Sequence, residues 1–350
     1  MKKLIREGER SAEVADVQAR LRALGYKIED GTGRFGPGTT AAVRTFQQDR
    51  SILVDGIIGP HTWGQIVEAS WYLGDRDLYL KHPPMRGDDV ASLQERLNAL
   101  GFDAGKEDGI FGVDTDRAVR AFQKEYGVAG DGIFGLVSHA ALLGLRVDRP
   151  GTSAHLREEL RRIEKRGLSG ATIVIDPGHG GDDVGDVTTS RVTEADACWQ
   201  IAARLADRLA SFGARVRFTR NETEGPEASA RAAMANEIDA DLFLSIHLNG
   251  HAESTAEGAS TYYFGGSRAG ESVADQIQGQ LVRLGLRDCR SHARSYPILR
   301  ETRMPAVLIE PVFISNPDEA KRLEDHEFLG NVANAIAIAV RRHFELGDAR

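Results

Sequence analysis

The first 145 residues carry one pattern twice. "VADVQARLRALGY", beginning at Val14, lies over "VASLQERLNALGF", beginning at Val90; with no gap, "RFGPGTTAAVRTFQ" then falls on "IFGVDTDRAVRAFQ" and "DGIIG" on "DGIFG". Self-similarity at a fixed offset means that each copy is one supersecondary unit. This part of the chain is therefore expected to fold as two like modules in series.

Within each copy the apolar residues recur at helical spacing: Val14, Val17, Leu21 and Leu24, then Ala42, Val43 and Phe46, with Val90, Leu93, Leu97, Leu100 and Ala118, Val119, Phe122 as counterparts. Gly25 and Gly101 stand where a first helix needs a left-handed cap, Thr39 and Thr115 can cap a second, and the Asp55-Gly56 and Asp131-Gly132 pairs turn the chain into a third. The copies resemble the three-helix peptidoglycan-binding module, whose hallmarks are "VxxLQxxLxxLG", "FGxxTxxAVxxFQ" and "DGxxG". That resemblance implies a polymeric wall ligand, while packing and capping alone would make the copies helical spacers. The repeated Gln18/Gln94 and Gln47/Gln123 suit ligand contact or interhelical hydrogen bonds equally. The first copy departs from the second where "YKIEDGTGRFG" replaces "FDAGKEDGIFG".

These features place the modules at residues 8–70 and 86–145, joined by a linker at 71–85 that contains Pro83-Pro84. A charged connection follows at 146–169, with a largely polar helix expected from Ala154 to Lys165. From there to residue 347 strand-like apolar runs ("TIVID", "ARVRFTR", "DLFLSIH", "ASTYYFG", "AVLIEPVFI") alternate with helical patterns. Such alternation predicts an α/β domain with a mostly parallel sheet flanked by helices, following two small all-α domains. Sites on such sheets lie beyond the carboxyl ends of the strands.

A formal charge of −8 offers no general attraction to nucleic acid or anionic membrane. The most apolar stretches are strand-length, far short of the roughly 20 residues of a membrane span. "MKKLIREGER" lacks the apolar core of a secretory signal. With only Cys198 and Cys289 present, a disulfide framework is not expected, and Cys198, beside Ile201 and Leu205 on a helix, reads as core.

His179 stands among glycines in "IDPGHGG", just after one strand, and His247 closes another, "DLFLSIH". Glu194 heads the next helix, and Glu310 sits among apolar residues in "AVLIEPVF". Two imidazoles and a carboxylate make a three-ligand catalytic zinc site with an open fourth position, and His179, Glu194 and His247 fit that set. Glu310 is the candidate proton acceptor. The glycines are expected to let an extended substrate approach the site. A phosphate-binding loop would end in Lys-Ser/Thr or keep GxGxxG spacing, and "DPGHGG" does neither. Either histidine alone could be structural.

"IVIDPGHGG", the helix-heading glutamate, "RAAMAN", "ADLFLSIHLN" and "LRETRMPAVLIEPVFISNPDE" look like successive motifs of the type 3 zinc-dependent N-acetylmuramoyl-L-alanine amidases, over roughly Ala171 to Phe344. The resemblance implies one zinc per chain held by His179, Glu194 and His247, with Glu310 catalytic and peptidoglycan or muropeptides as substrate. The chain departs from the family next to Glu310, where Pro311 and Val312 replace a small or apolar residue and glycine; Pro311 removes an N–H, and Val312 cannot adopt glycine-only dihedrals. Arg231 and Asn236, also in a family motif, are expected to be structural, and His251 and His292 to be exposed loop residues. The implied substrate points to the cell wall or exterior, the missing signal to the cytoplasm. Two alternatives stay open: an amidase-like cytoplasmic sensor of wall synthesis, although in such actinobacterial proteins the metal residues are degraded, and a zinc peptidase acting on the stem peptide.

Overall fold

A computed structural model of the chain describes residues 4–145, 167–188 and 190–346. The helix expected from Ala154 to Lys165 lies outside them. The chain divides into two compact units, residues 1–156 and 157–350.

The first unit holds six helices among the described residues: α1 (Ala12–Ala23), α2 (Pro37–Asp49) and α3 (Pro60–Ala69), then α4 (Asp88–Ala99), α5 (Val113–Glu125) and α6 (Leu136–Leu143). Each triplet closes over its own core, Val17, Leu21, Val43 and Phe46 in one and Leu93, Leu97, Val119 and Phe122 in the other. Gly25 and Gly101 follow the first helix of each copy at φ +95° and +92°, the left-handed cap expected of them.

The glutamines are structural. Gln18 donates to the Arg34 carbonyl and Thr39 Oγ1, both at 2.9 Å, and accepts from the Gly33 N–H at 2.8 Å. Gln94 repeats this with Ile110, Thr115 and Gly109. Gln47 and Gln123 do the same for the Asp-Gly turns, accepting from Gly56 and Gly132. All four are buried, and each uses both ends of its amide to fasten a loop to a helix.

Thr39 and Thr115 are not caps. The second helices start at Pro37 and Val113 with Gly36 and Gly112 as N-caps, so each threonine lies inside the first turn, buried as the acceptor for Gln18 or Gln94. In the first copy the Asp30 carboxylate caps α2 instead, accepting from Gly36 and Thr39. Burial acts to raise that carboxyl, but hydrogen bonds from Thr39, Gly38 and Gly36 outweigh it and hold the group below its ordinary range. Lys106 stands at the equivalent place in the second copy, whose loop is held by Asn98 through the Ala104 N–H and Gly105 carbonyl. Arg50, at the end of α2, grips Asp88 of α4 with two 2.8 Å bonds, a fork that ties one copy to the next.

Among the described residues the second unit is a six-stranded sheet in the order β2-β1-β3-β6-β4-β5, comprising β1 (Thr172–Pro177), β2 (Arg215–Phe218), β3 (Leu242–Ile246), β4 (Ala259–Tyr263), β5 (Asp288–Ala293) and β6 (Ala306–Glu310). All pairs are parallel except β4 with β6. The central strands are apolar in runs because both faces are covered. Ile173, Ile175, Leu244 and Ile309 pack on one side with α7 (Glu194–Ser211), α9 (Arg268–Arg283) and α12 (His326–Leu346). Val174, Phe243 and Leu308 face the other, against α8 (Ala228–Glu237) and the short α10 (Pro297–Arg300). One further short helix, α11 (Pro317–Arg322), precedes α12.

Candidate metal centre

Register brings the polar residues to one rim. Pro177 of β1 pairs with Ile246 of β3, and Ile246 with Ile309 of β6, so His179 and His247 just after their strands and Glu310 at the end of its own stand at the carboxyl ends of adjacent parallel strands. Glu194 opens α7, whose N-cap Thr193 accepts from the Asp196 N–H.

The loop carrying His179 is braced by two buried arginines. Arg231 donates to Asp176 Oδ1 at 3.0 Å, to the Pro177 carbonyl at 2.7 Å and to the His179 carbonyl at 2.6 Å. Arg220 takes the Pro177 and Gly178 carbonyls, each at 2.9 Å. Asp176 is further fixed by Thr219 and by Ser245, a neighbour in the sheet. These contacts hold His179 at φ +57°, a left-handed conformation that a side chain adopts only when its surroundings impose it.

The structure gives two of the nearby glycines to the site rather than to a substrate. A Cβ at Gly178 would lie 2.5 Å from the His247 ring, and one at Gly185 would lie 2.8 Å from Glu194 and 2.9 Å from the His179 ring. Both are bare because candidate ligands occupy that space.

Glu194 is the hub. Its Oε1 lies 3.1 Å from His179 Nε2 and 3.4 Å from His247 Nδ1 and accepts from the Leu248 N–H at 2.9 Å; Oε2 accepts from the Asp186 N–H at 3.3 Å. Burial works to raise the carboxyl, but hydrogen bonds from His179, His247 and Leu248 prevail and hold it far below the usual carboxylate range. Reciprocally, the Glu194 hydrogen bond lifts His179 to about 9 against the opposing effect of burial. One donor atom from each of His179, Glu194 and His247 lies within 4.8 Å of the others. Two imidazoles and a carboxylate at that separation could hold a metal ion, and nitrogen-oxygen sets of this kind suit zinc.

Glu310 stands apart from this cluster. Its Oε2 is buried and has no hydrogen-bond partner among the described residues. Desolvation raises its carboxyl to about 7, opposed by a hydrogen bond from Tyr262, favoured by the charge of Glu194 and opposed again by Arg294. Ser260 lies directly opposite Glu310 across the antiparallel pair, with Tyr262 two residues along the same face. Pro311 and Val312 do not distort the turn: no residue from 310 to 316 has positive φ, Val312 is fully buried, and its carbonyl accepts from the Asn249 N–H at 2.9 Å.

A groove of about 360 Å³ opens over His179 and His247, walled by Tyr296, Pro297, Pro226 and Asp183. Asn236 pins the segment before β6, bonding the Glu301 carbonyl and the Arg303 N–H. His251 is an exposed loop residue, as expected, but His292 is not. It is a half-buried residue of β5, opposite Tyr262 with ring centroids 5.8 Å apart. Cys198 is core, and both cysteines are free thiols. Sequence reasoning missed Arg220 and Asp183; the first is a lone arginine after a strand, and the second one of two adjacent acids four residues beyond His179.

Residues 173–342 match the family described as N-acetylmuramoyl-L-alanine amidase, and residues 10–66 and 86–142 match a putative peptidoglycan binding domain. The chain is 40% identical to the N-acetylmuramoyl-L-alanine amidase CwlM of Mycobacterium tuberculosis, over 98% of this chain and 90% of that one. It is 35% identical to the germination-specific N-acetylmuramoyl-L-alanine amidase of Bacillus subtilis, over 52% of this chain and 83% of the relative. Among solved structures, the N-acetylmuramoyl-L-alanine amidase of Clostridium difficile 630 aligns with 32% identity and a TM-score of 0.48, over 49% of this chain and 95% of that one.

Proposed function

The chain belongs to the N-acetylmuramoyl-L-alanine amidase family, and on that footing we propose that it hydrolyses the amide between the lactyl group of N-acetylmuramic acid and L-alanine in peptidoglycan. His179, Glu194 and His247 hold one zinc ion, and Glu310 is the general base. The observation that carries this assignment is the meeting of three donor atoms within 4.8 Å on a rim that also bears a carboxylate with a buried, unpartnered oxygen.

A zinc ion held by His179, Glu194 and His247 would supply Lewis acidity toward the scissile carbonyl and a water. The chain's own residues do the rest. Glu310, with its carboxyl lifted to about 7, is matched to accept a proton near neutrality and to return it to the leaving amine. Arg220 and Arg231 keep the His179 loop in shape before substrate arrives. The groove beside Tyr296 gives an extended glycopeptide room to lie across the centre. The two modules, residues 8–70 and 86–145, hold the enzyme on its polymer and raise the local concentration of scissile bonds. This chemistry places its work at the cell wall. No helix among the described residues is long and apolar enough to cross a membrane.

Incubation of the zinc-loaded protein with peptidoglycan, followed by mass spectrometry of the soluble fragments, tests the assignment. Stem peptides with a free L-alanine amino terminus are expected. Cleavage inside the stem would make the chain a zinc peptidase, and no release despite bound zinc would make it a sensor rather than an enzyme.

A further inference from the structure

Asp183 belongs to neither the proposed ligand set nor the proposed base, yet the loop is built around it. Its Oδ2 lies 2.9 Å from His179 Nδ1, and its Oδ1 accepts from the Gly185 N–H at 3.1 Å. Its backbone closes a tight bridge with Gly180: the Gly180 N–H donates to the Asp183 carbonyl at 2.7 Å, and the Asp183 N–H to the Gly180 carbonyl at 3.2 Å. The carboxylate therefore folds back onto the ring of the residue four positions earlier. On the other side of that ring, Nε2 faces Glu194 Oε1 at 3.1 Å.

An imidazole can offer a lone pair at only one nitrogen while neutral, and the partner of the other nitrogen decides which. A carboxylate at Nδ1 keeps the proton there, so that when the ring gives up its second proton to bind a metal the lone pair comes free at Nε2, the nitrogen on the Glu194 side. It also fixes the ring's rotation, since the ring is then held at two opposite points. The rest of the residue is fixed independently, through the Arg231 bond to its carbonyl and the left-handed backbone. Backbone bracing alone would leave the ring free to turn about its side-chain bonds.

We infer that Asp183 is a positioning residue for the metal centre, setting the tautomer and orientation of His179 through Nδ1. The inference rests on the ligand assignment made above. Outer carboxylates of this kind raise the basicity of a ligating histidine, and their loss costs about 10–100-fold in metal affinity.

The test is zinc affinity of the full chain by competition with a chromophoric chelator, which needs no turnover. Asp183→Ala is expected to weaken zinc binding about 10–100-fold, and Asp183→Asn, which keeps an oxygen for the Gly185 N–H but removes the charge, to fall between it and the unaltered protein. Asp182→Ala, removing the adjacent exposed acid, is expected to stay within about twofold. A thermal melt of zinc-free Asp183→Ala matching the unaltered protein shows that the loss is not unfolding. Affinity unchanged in Asp183→Ala overturns the inference, as does an equal loss in Asp182→Ala, which would reduce the effect to local negative charge. An unaltered chain without zinc affinity would sink the ligand assignment itself, an outcome distinct from either.

Discussion

The four buried glutamines of the helical unit and the polar residues at the rim of the sheet invite comparison, because both put costly groups out of water. Gln18, Gln47, Gln94 and Gln123 each donate and accept within their own loops. Among the described residues, the buried side-chain atoms left without a partner are Gln276 Oε1, Gln278 Oε1 and Glu310 Oε2, all in the sheet unit. A buried polar group that completes its bonds specifies a fold, and one that does not carries a penalty that water, an ion, a ligand or a reaction must offset. Of the three atoms, only Glu310 Oε2 belongs to a titratable group and stands on the rim that carries the candidate metal centre.

Breaking the incomplete group should have the largest effect. Glu310→Gln preserves shape but cannot accept a proton, so kcat should fall about 10²–10⁴-fold, with zinc content by elemental analysis unchanged. The sign of the pH dependence follows from the raised carboxyl: Glu310 works ionised, so kcat should drop about tenfold per unit below about 7 and level off above it. That acid limb should vanish in the glutamine variant. Loss of zinc instead would make Glu310 a ligand.

Removing residues 1–145 should act more mildly. Binding to insoluble peptidoglycan in a pelleting assay should weaken by about tenfold or more, while cleavage of a small soluble muropeptide stays near that of the full chain. Equal pelleting by both chains would reduce the modules to spacers.

Breaking a completed group should have the smallest effect on function. Gln123→Ala strands the Gly132 N–H and leaves the Ile133 carbonyl with only the long Ser138 hydroxyl bond at 3.5 Å, which should cost about 1–3 kcal/mol. Calorimetry should show the helical unit melting earlier with kcat on the soluble muropeptide untouched.

The same contrast explains what could be read from residues alone. Six helices of the first unit were legible because apolar spacing and a gapless repeat reinforce each other, and β1, β3 and β6 because strands covered on both faces are apolar throughout. β5 was missed: "DCRSHA" is a polar edge strand whose residues are exposed or half-buried, so it has no apolar run to betray it. His292 was misplaced with it. The threonine caps failed because the second helices begin two residues earlier, after Gly36 and Gly112, leaving Thr39 and Thr115 inside the first turn and better used by Gln18 and Gln94. Pairing of His179 with Asp183 was hidden because neighbours on a tight loop carry no periodicity.

One property of the sheet bears on how such a chain can vary over time. Because β4 runs opposite to β6, the connection between β3 and β4, residues 247–258, both leaves and re-enters the sheet at the rim. It is fastened there at several points, by Asn249 to Val312, by His251 to Ser315, by Ala256 to Asn316 and by Gly258 to Glu319. It begins at His247 and borders a second cavity of about 490 Å³ next to Asp186. Doubling the length of a flexible loop adds only about 0.6 kcal/mol of closure cost. Residues added between the fastened points, at 252–255, are therefore accommodated at little expense to the sheet, while the anchors at Asn249, His251, Ala256 and Gly258 hold the ends of the segment, and with them the rim, where they are.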